Sequence, residues 1–104
     1  MLELTDENFA AEITKSKGFA LVDCYADWCG PCKQMAPIFE KTAAANLTMK
    51  FAKLDTDEAK VSDELHIEAL PSFILFKNGV EIDRYVGGCT ERTFTKWLKR
   101  AMEG

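Results

Sequence analysis

The chain has 104 residues, 47% of them hydrophobic and 29% charged, with a net charge of -4 at pH 7. This balance predicts one globular domain, residues 1–104, and is not that of a disordered or membrane chain. The negative charge argues against nucleic acid as a partner, and no apolar run approaches the roughly 18 residues of a membrane span. The N-terminus shows neither a secretory signal nor a transit pattern, so we expect a cytoplasmic protein without a membrane partner.

Short apolar segments with turn signals between them open the chain. Residues 2–4 predict a first strand, and Thr5 or Asp6 caps a helix that Gly18 closes. The continuous apolar run at residues 19–22 is typical of a strand buried on both faces. We therefore expect a strand, a helix and a central strand in this order.

A longer helix follows the cysteine turn at residues 28–32. Its apolar stripe has the spacing of one helix face and consists of Met35, Ile38, Phe39 and Thr42. We expect this helix to end near Asn46 and to kink at Pro37, which has no N–H to donate.

The second half of the chain predicts a strand at residues 49–54 and a short helix that starts at residues 55–58. Asn78-Gly79 predicts a hairpin between a strand at 73–76 and a strand at 80–86. Thr90 then caps the last helix. The element order predicts an α/β fold, in which a central mixed five-stranded sheet is flanked by four helices.

The cysteines at positions 29 and 32 carry the most informative spacing. Two thiols with two residues between them, on a turn from a buried strand into a helix, close a disulfide with little backbone movement. Cys29 stands at the helix N-terminus, where unpaired N–H groups and the helix dipole favour the thiolate. We therefore expect Cys29 to be the exposed nucleophile and Cys32 the more buried resolving thiol.

Asp23 ends an otherwise apolar strand, six residues before Cys29. A carboxylate buried there has a raised pKa and can accept the proton of Cys32. The alternative is an ordinary strand-end acid exposed to water. Lys53 ends another core strand and is expected near Asp23, although a solvated lysine also fits the sequence.

Other interpretations of the cysteines have less support in the sequence. Zinc bound by Cys29 and Cys32 requires a second ligand pair, and the remaining Cys24, Cys89 and His66 form no such motif, so we expect no metal. Cys24 is expected to fill core space. Cys89 either packs ahead of the last helix or, if exposed, is oxidised or pairs between molecules.

Residues 22–33, with Trp-Cys-Gly-Pro-Cys at their centre, closely resemble the signature of the thioredoxin family. Further segments match in the family's order, namely residues 35–37, 53–55, 70–72, 76–79 and 86–88. The resemblance spans nearly the whole chain. It implies the thioredoxin fold and a thiol-disulfide oxidoreductase that reduces disulfides in other proteins.

The resemblance also implies site residues. Pro71 is expected as a cis-proline facing the disulfide, with the backbone of Leu70 offered to a substrate strand, while Asp23 and Lys53 match the family's buried acid and its lysine neighbour. The implied substrate-binding patch consists of Trp28, Gly30, Pro31, Ala69, Leu70, Pro71, Val86 and Gly87. The chain departs from the family's pattern at two places. Cys24-Tyr25 stands where two larger aromatics are common, so looser packing is expected behind Asp23. Glu68 adds negative charge beside the patch.

The implied partners are a thioredoxin reductase and disulfide-containing proteins such as peroxiredoxins. NADPH and FAD belong to that reductase, so this chain, expected to be a monomer, binds no cofactor beyond its redox-active disulfide. Two other functions stay open. One is an oxidase or isomerase on the same fold, against which the Gly-Pro between the cysteines argues, and the other is a binding module whose cysteines are incidental.

Overall fold

The computed structural model describes residues 1–104 and contains one mixed sheet. Its strands are β1 (Leu2–Leu4), β2 (Phe19–Tyr25), β3 (Lys50–Asp55), β4 (Ser72–Lys77) and β5 (Val80–Val86). They lie in the order β1-β3-β2-β4-β5. Strands β1 and β2 run parallel to β3, whereas β4 is antiparallel to both β2 and β5. The predicted mixed five-stranded sheet is confirmed.

Four helices pack against this sheet, as predicted. They are a short π-helical segment (Ala10–Thr14), α1 (Gly30–Ala45), α2 (Val61–Glu64) and α3 (Glu91–Glu103). Helix α1 continues through Pro37, which is exposed, and Asn46 follows as its C-cap. None of these helices combines the length and apolarity that crossing a membrane requires.

The sheet separates two apolar clusters, because successive side chains of a strand point to opposite faces. One cluster contains Ile13 and Val22 and packs beneath the π-helical segment and α2. The other contains Phe39 and Phe94, from α1 and α3, whose ring centroids lie 5.9 and 4.8 Å from that of Phe73. Since residues 20–24 of β2 are all buried between these clusters, the predicted doubly buried strand is confirmed.

The two candidate N-terminal caps cap different segments. Thr5 Oγ1 accepts the N–H of Asn8 at 3.1 Å, and Thr5 N–H donates to Asn8 Oδ1 at 2.7 Å, which starts the π-helical turn. The Asp6 carboxylate instead accepts the N–H groups of Lys60 at 3.1 Å and Val61 at 2.9 Å. Asp6 therefore caps α2, a helix more than fifty residues further along the chain.

The prediction that a helix starts at residues 55–58 is wrong. Asp55 Oδ1 accepts the N–H of Asp57 at 2.9 Å, and this local bond closes a turn at the end of β3. Asp side chains commonly compete in this way with helical hydrogen bonds. Helix α2 therefore begins only at Val61 and forms a single turn.

The predicted hairpin is confirmed between β4 and β5. Asn78 and Gly79 both have positive φ, 51° and 82°, as this tight turn requires. Asn78 Oδ1 also accepts the N–H of Gly18 at 2.7 Å, and a Cβ on Gly79 would collide with the carbonyl of Thr14. The hairpin tip is thus fixed against the end of the π-helical segment.

Replacing Asp6 with alanine is expected to lower the free energy of unfolding by about 1 kcal/mol, since it removes the carboxylate that caps α2. Urea unfolding measures the loss. Glu7→Ala is the matched control, because the Glu7 side chain is exposed and makes no hydrogen bond. Equal losses in the two variants would contradict the role of Asp6 as a cap.

Candidate active site

Cys29 and Cys32 form a disulfide at the start of α1, with Cα atoms 5.2 Å apart. Cys29 is the N-cap residue of α1, and its Sγ accepts the N–H of Cys32 at 3.2 Å. Pro31 lies in the first helical turn, where no backbone N–H is needed and its fixed φ suits the helix. The Cys-Gly-Pro-Cys sequence therefore builds a helix N-terminus around the Cys29 sulfur.

The expectation that Cys29 is exposed and Cys32 buried is wrong for the disulfide form, since each residue is only 4% exposed. Both pack with Ala26 in a small cluster that Tyr25 and Leu70 also contact. The two cysteines differ in position instead. Cys29 caps the helix and accepts a backbone N–H, a contact that favours a thiolate, whereas Cys32 lies within the first turn.

Asp23 lies in the centre of the sheet and is 1% exposed. Its neighbours across the strands are Lys53 on β3 and Phe73 on β4, and its Oδ1 has no hydrogen-bond partner. Burial raises the pKa of this carboxyl to about 7, with Lys53 acting in the opposite direction and Glu3 adding to the rise. Asp23 is thus a buried acid with a raised pKa, and the alternative of an exposed strand-end acid is wrong.

A small cleft connects Asp23 with the disulfide. It has a volume of about 130 Å³ and is lined by Asp23, Tyr25, Ala26, Asp27, Cys32, Lys33, Ala36 and Lys53. This space is large and polar enough to hold water. Asp23 of β2, Cys32 of α1 and Lys53 of β3 therefore share one cleft.

Lys53 is adjacent to Asp23, as expected, but its ammonium does not pair with the carboxylate. Lys53 Nζ lies 4.6 Å from the centre of the Tyr25 ring. The hydroxyl of Tyr25 in turn donates to the carboxylate of Glu3, at 3.2 and 3.3 Å. Sequence reasoning assigned no role to Tyr25 or Glu3, because their approach depends on the register of three separate strands.

The Leu70–Pro71 peptide bond is cis, as the resemblance implies. Pro71 is fully buried, and its carbonyl accepts the N–H of Gly87 at 2.8 Å. Leu70 is half-buried and packs against the cysteine cluster. The segment before β4 and the residue after β5 therefore meet beside the disulfide.

Trp28 is the most exposed aromatic residue at the site, with 72% of its surface accessible. Its ring is held in place because Nε1–H donates to Asp57 Oδ2 at 2.8 Å. A groove of about 300 Å³ runs beside it and is lined by Trp28, Thr56, Ser62, Asp63, Ile67, Glu68, Ala69 and Leu70. Val86 adds a second exposed apolar side chain at the end of β5.

The two other cysteines lie outside this site. Cys24 is fully buried on the opposite face of the sheet, and burial raises the pKa of its thiol well above the usual range. Cys24 points away from Asp23, and the expected looser packing behind Asp23 stays a prediction. Cys89 is half-buried, packs against the cluster that contains Phe94, and donates its N–H to Met35 Sδ at 3.3 Å.

Comparisons with known proteins agree with this geometry. The thioredoxin family model matches residues 1–100. Thioredoxin C-3 of Corynebacterium nephridii is 33% identical over 98% of this chain and 71% of its own length. Thioredoxin of Chlamydia trachomatis is 38% identical over 81% of each chain. Thioredoxin-like protein 1 of Schizosaccharomyces pombe is 42% identical over 78% of this chain, which spans only 29% of that protein.

The raised pKa of Asp23 should make the oxidised protein less stable as the pH rises from about 4 to about 7. In this window the unfolded chain has lost the Asp23 proton while the folded chain retains it, so stability falls by about 1.4 kcal/mol per pH unit. Urea unfolding from pH 4 to 8 measures this slope. Asp23→Ala should remove most of it, independently of any constant loss from the missing side chain.

Asp27→Ala is the matched control, because Asp27 lies near the same cleft but is exposed to solvent. This variant should retain the wild-type pH dependence. A wild-type slope that persists in Asp23→Ala would mean that another group causes it.

Proposed function

Since this chain belongs to the thioredoxin family, it is a thiol-disulfide oxidoreductase, and we propose that residues 1–104 form one domain that reduces disulfides in partner proteins. The observation that carries this proposal is the Cys29–Cys32 disulfide at the N-terminus of α1, in one cleft with a buried acid. A redox pair at a helix N-terminus supplies the nucleophile, and the acid supplies a place for the proton.

The first step uses the Cys29 thiolate of the reduced protein. Its sulfur attacks one sulfur of the target disulfide, the target S–S bond breaks, and the departing sulfur leaves as a thiolate that takes a proton from water. A mixed disulfide between Cys29 and the target results. The N–H groups at the start of α1 lower the energy of the attacking thiolate.

The second step uses Cys32 and Asp23. Asp23 accepts the Cys32 proton through water in the shared cleft, and the Cys32 thiolate then attacks Cys29 Sγ. The bond between Cys29 and the target breaks, the target thiolate leaves and is protonated, and the Cys29–Cys32 disulfide forms. Two electrons pass from the dithiol to the target.

The raised pKa of Asp23, about 7, supports its role as the proton acceptor. A general base is most effective when its pKa lies near the working pH. Lys53 contributes a positive charge beside this carboxylate. This charge partly offsets the effect of burial on the pKa of Asp23, so that the carboxylate is present to accept the proton. An unpaired Oδ1 leaves the acid free to take the proton.

The partner docks, in this proposal, on the surface around the disulfide. Of the implied patch, Pro71 is fully buried, so the accessible surface consists of Trp28, Gly30, Pro31, Ala69, Leu70, Val86 and Gly87. The exposure of Trp28 and Val86, large apolar side chains that a folded protein usually buries, supports a contact surface. The backbone of Leu70, next to the cysteine cluster, offers hydrogen bonds to an extended substrate strand.

Regeneration requires a reductant from outside the chain. We assign this role to a thioredoxin reductase, which holds FAD and uses NADPH, while the chain itself acts as a monomer without a bound cofactor. Disulfide-containing proteins such as peroxiredoxins are the proposed substrates. The cycle belongs in the cytoplasm, where such systems keep thiols reduced.

The Cys32→Ser variant should accumulate a mixed disulfide through Cys29, because the resolving thiol is missing. We would incubate it with a synthetic disulfide peptide and map the adduct by mass spectrometry without reductant. Cys29→Ser is the matched control and should form no adduct. Adducts on Cys24 or Cys89, or none at all, would contradict the assigned roles. If the Cys29→Ser, Cys32→Ser double variant kept the full function of the protein, the chain would be a binding module whose cysteines are incidental.

The reduction potential of the Cys29–Cys32 pair should lie near the value typical of thioredoxins, about −270 mV, which is carried over from the family. Equilibration with glutathione at known ratios, followed by quantification of the oxidised fraction, measures it. A potential near about −120 mV, in the range of strong protein oxidants, would replace the proposed reductant with an oxidase.

A further inference from the structure

Three charged side chains form a row across the sheet next to the active-site cleft. The register of β1 and β3 pairs Glu3 with Lys53, and the register of β2 and β3 pairs Lys53 with Asp23. Residues paired on adjacent strands point to the same face. Lys53 therefore lies between two carboxylates, one exposed on Glu3 and one buried on Asp23.

The ammonium of Lys53 pairs with neither of these carboxylates. Its Nζ lies over the ring of Tyr25, 4.6 Å from the centroid, where the negative face of the ring attracts a cation. The three ion pairs of the structure involve other residues, and Asp23 Oδ1 has no partner. The flexible Lys53 side chain thus places its ammonium over the Tyr25 ring and not against the Asp23 carboxylate.

Tyr25 is fixed at both ends. Its backbone carbonyl accepts the N–H of Thr56 at 2.9 Å and the hydroxyl of Thr56 at 3.2 Å. Its phenol donates to both carboxylate oxygens of Glu3, at 3.2 and 3.3 Å. Glu3 of β1 therefore holds the hydroxyl end of Tyr25, and Thr56, in the turn after β3, holds its backbone. The ring between these two contacts lies beneath Lys53.

We propose that Tyr25, held by Glu3, is a positioning residue that keeps the Lys53 ammonium on its ring and out of an ion pair with Asp23. A direct ion pair would stabilise the Asp23 carboxylate and make it a weaker base for the Cys32 proton. Tyr25 thereby keeps Asp23 available without removing the positive charge from its surroundings. The inference rests on the proposed role of Asp23 as proton acceptor.

Other charged groups that face Asp23 are few. Asp27, from the loop after β2, and Lys33, from α1, line the same cleft, and both are exposed to solvent. Strand β4 contributes Phe73, which carries no charge. Cys32 does not titrate while it forms the disulfide. In the oxidised protein Lys53 is therefore the cation whose movement changes the surroundings of Asp23 most.

The test is a carboxyl carbon NMR titration of Asp23 in the oxidised protein. Tyr25→Leu should lower the pKa of Asp23 by about one unit, because the released Lys53 ammonium then pairs with the carboxylate. The same substitution in a Lys53→Met background should cause no such decrease, since the cation is absent. Tyr25→Met, whose longer and more flexible side chain adapts to gaps, replaces Tyr25→Leu if that variant does not fold.

The double-variant comparison separates the positioning role from a packing role. An unchanged pKa in Tyr25→Leu, or an equal decrease with and without Lys53, would overturn the inference, the latter because water entry alone would explain it. A matching shift of the pH profile for the Cys32 step, measured in the reduced protein, supports it. If the pKa of Asp23 shifts while that pH profile stays unchanged, the positioning role stands and the proton-acceptor role of Asp23 fails.

Discussion

The active site depends on the position of β2, which is hydrogen-bonded to β3 and β4 and covered by apolar clusters on both faces. This strand delivers the cysteine turn at its carboxyl end, where α1 begins. It also places Asp23 among apolar neighbours that raise the pKa of its carboxyl. Strand β2 therefore contains the buried acid, and residues 26–28, which follow it, lead to Cys29 at the start of α1.

The buried carboxylate is a destabilising feature that the surrounding packing offsets. An unpaired carboxylate in an apolar environment favours the protonated form, and folding is less favourable whenever that proton is lost. Phe39, Phe73 and Phe94 pack together on the same face of the sheet as Asp23, and their burial stabilises the fold. Burial under these side chains is what raises the pKa of Asp23 to about 7.

Local patterns in the sequence were sufficient to predict the strands, the hairpin, the long helices and the cysteine pair. The features that sequence reasoning missed depend on contacts between distant segments. The pairing of Asp6 with the start of α2, and of Tyr25 with Glu3, follows from tertiary arrangement, which no local pattern encodes. The error at residues 55–58 had a local cause, because the Asp55 side chain closes a turn where the acidic residues suggested the N-terminus of a helix.

The orientation of Cys24 separates two kinds of sulfur chemistry within a few residues of chain. Its thiol lies on the opposite face of the sheet from Asp23, inside an apolar cluster, although only five positions separate it from Cys29. A thiol in that environment rarely ionises, so it is a poor competitor in disulfide exchange. The sheet thus separates Cys24 from the cleft that contains Cys32, and this separation works against disulfide exchange between Cys24 and the Cys29–Cys32 pair.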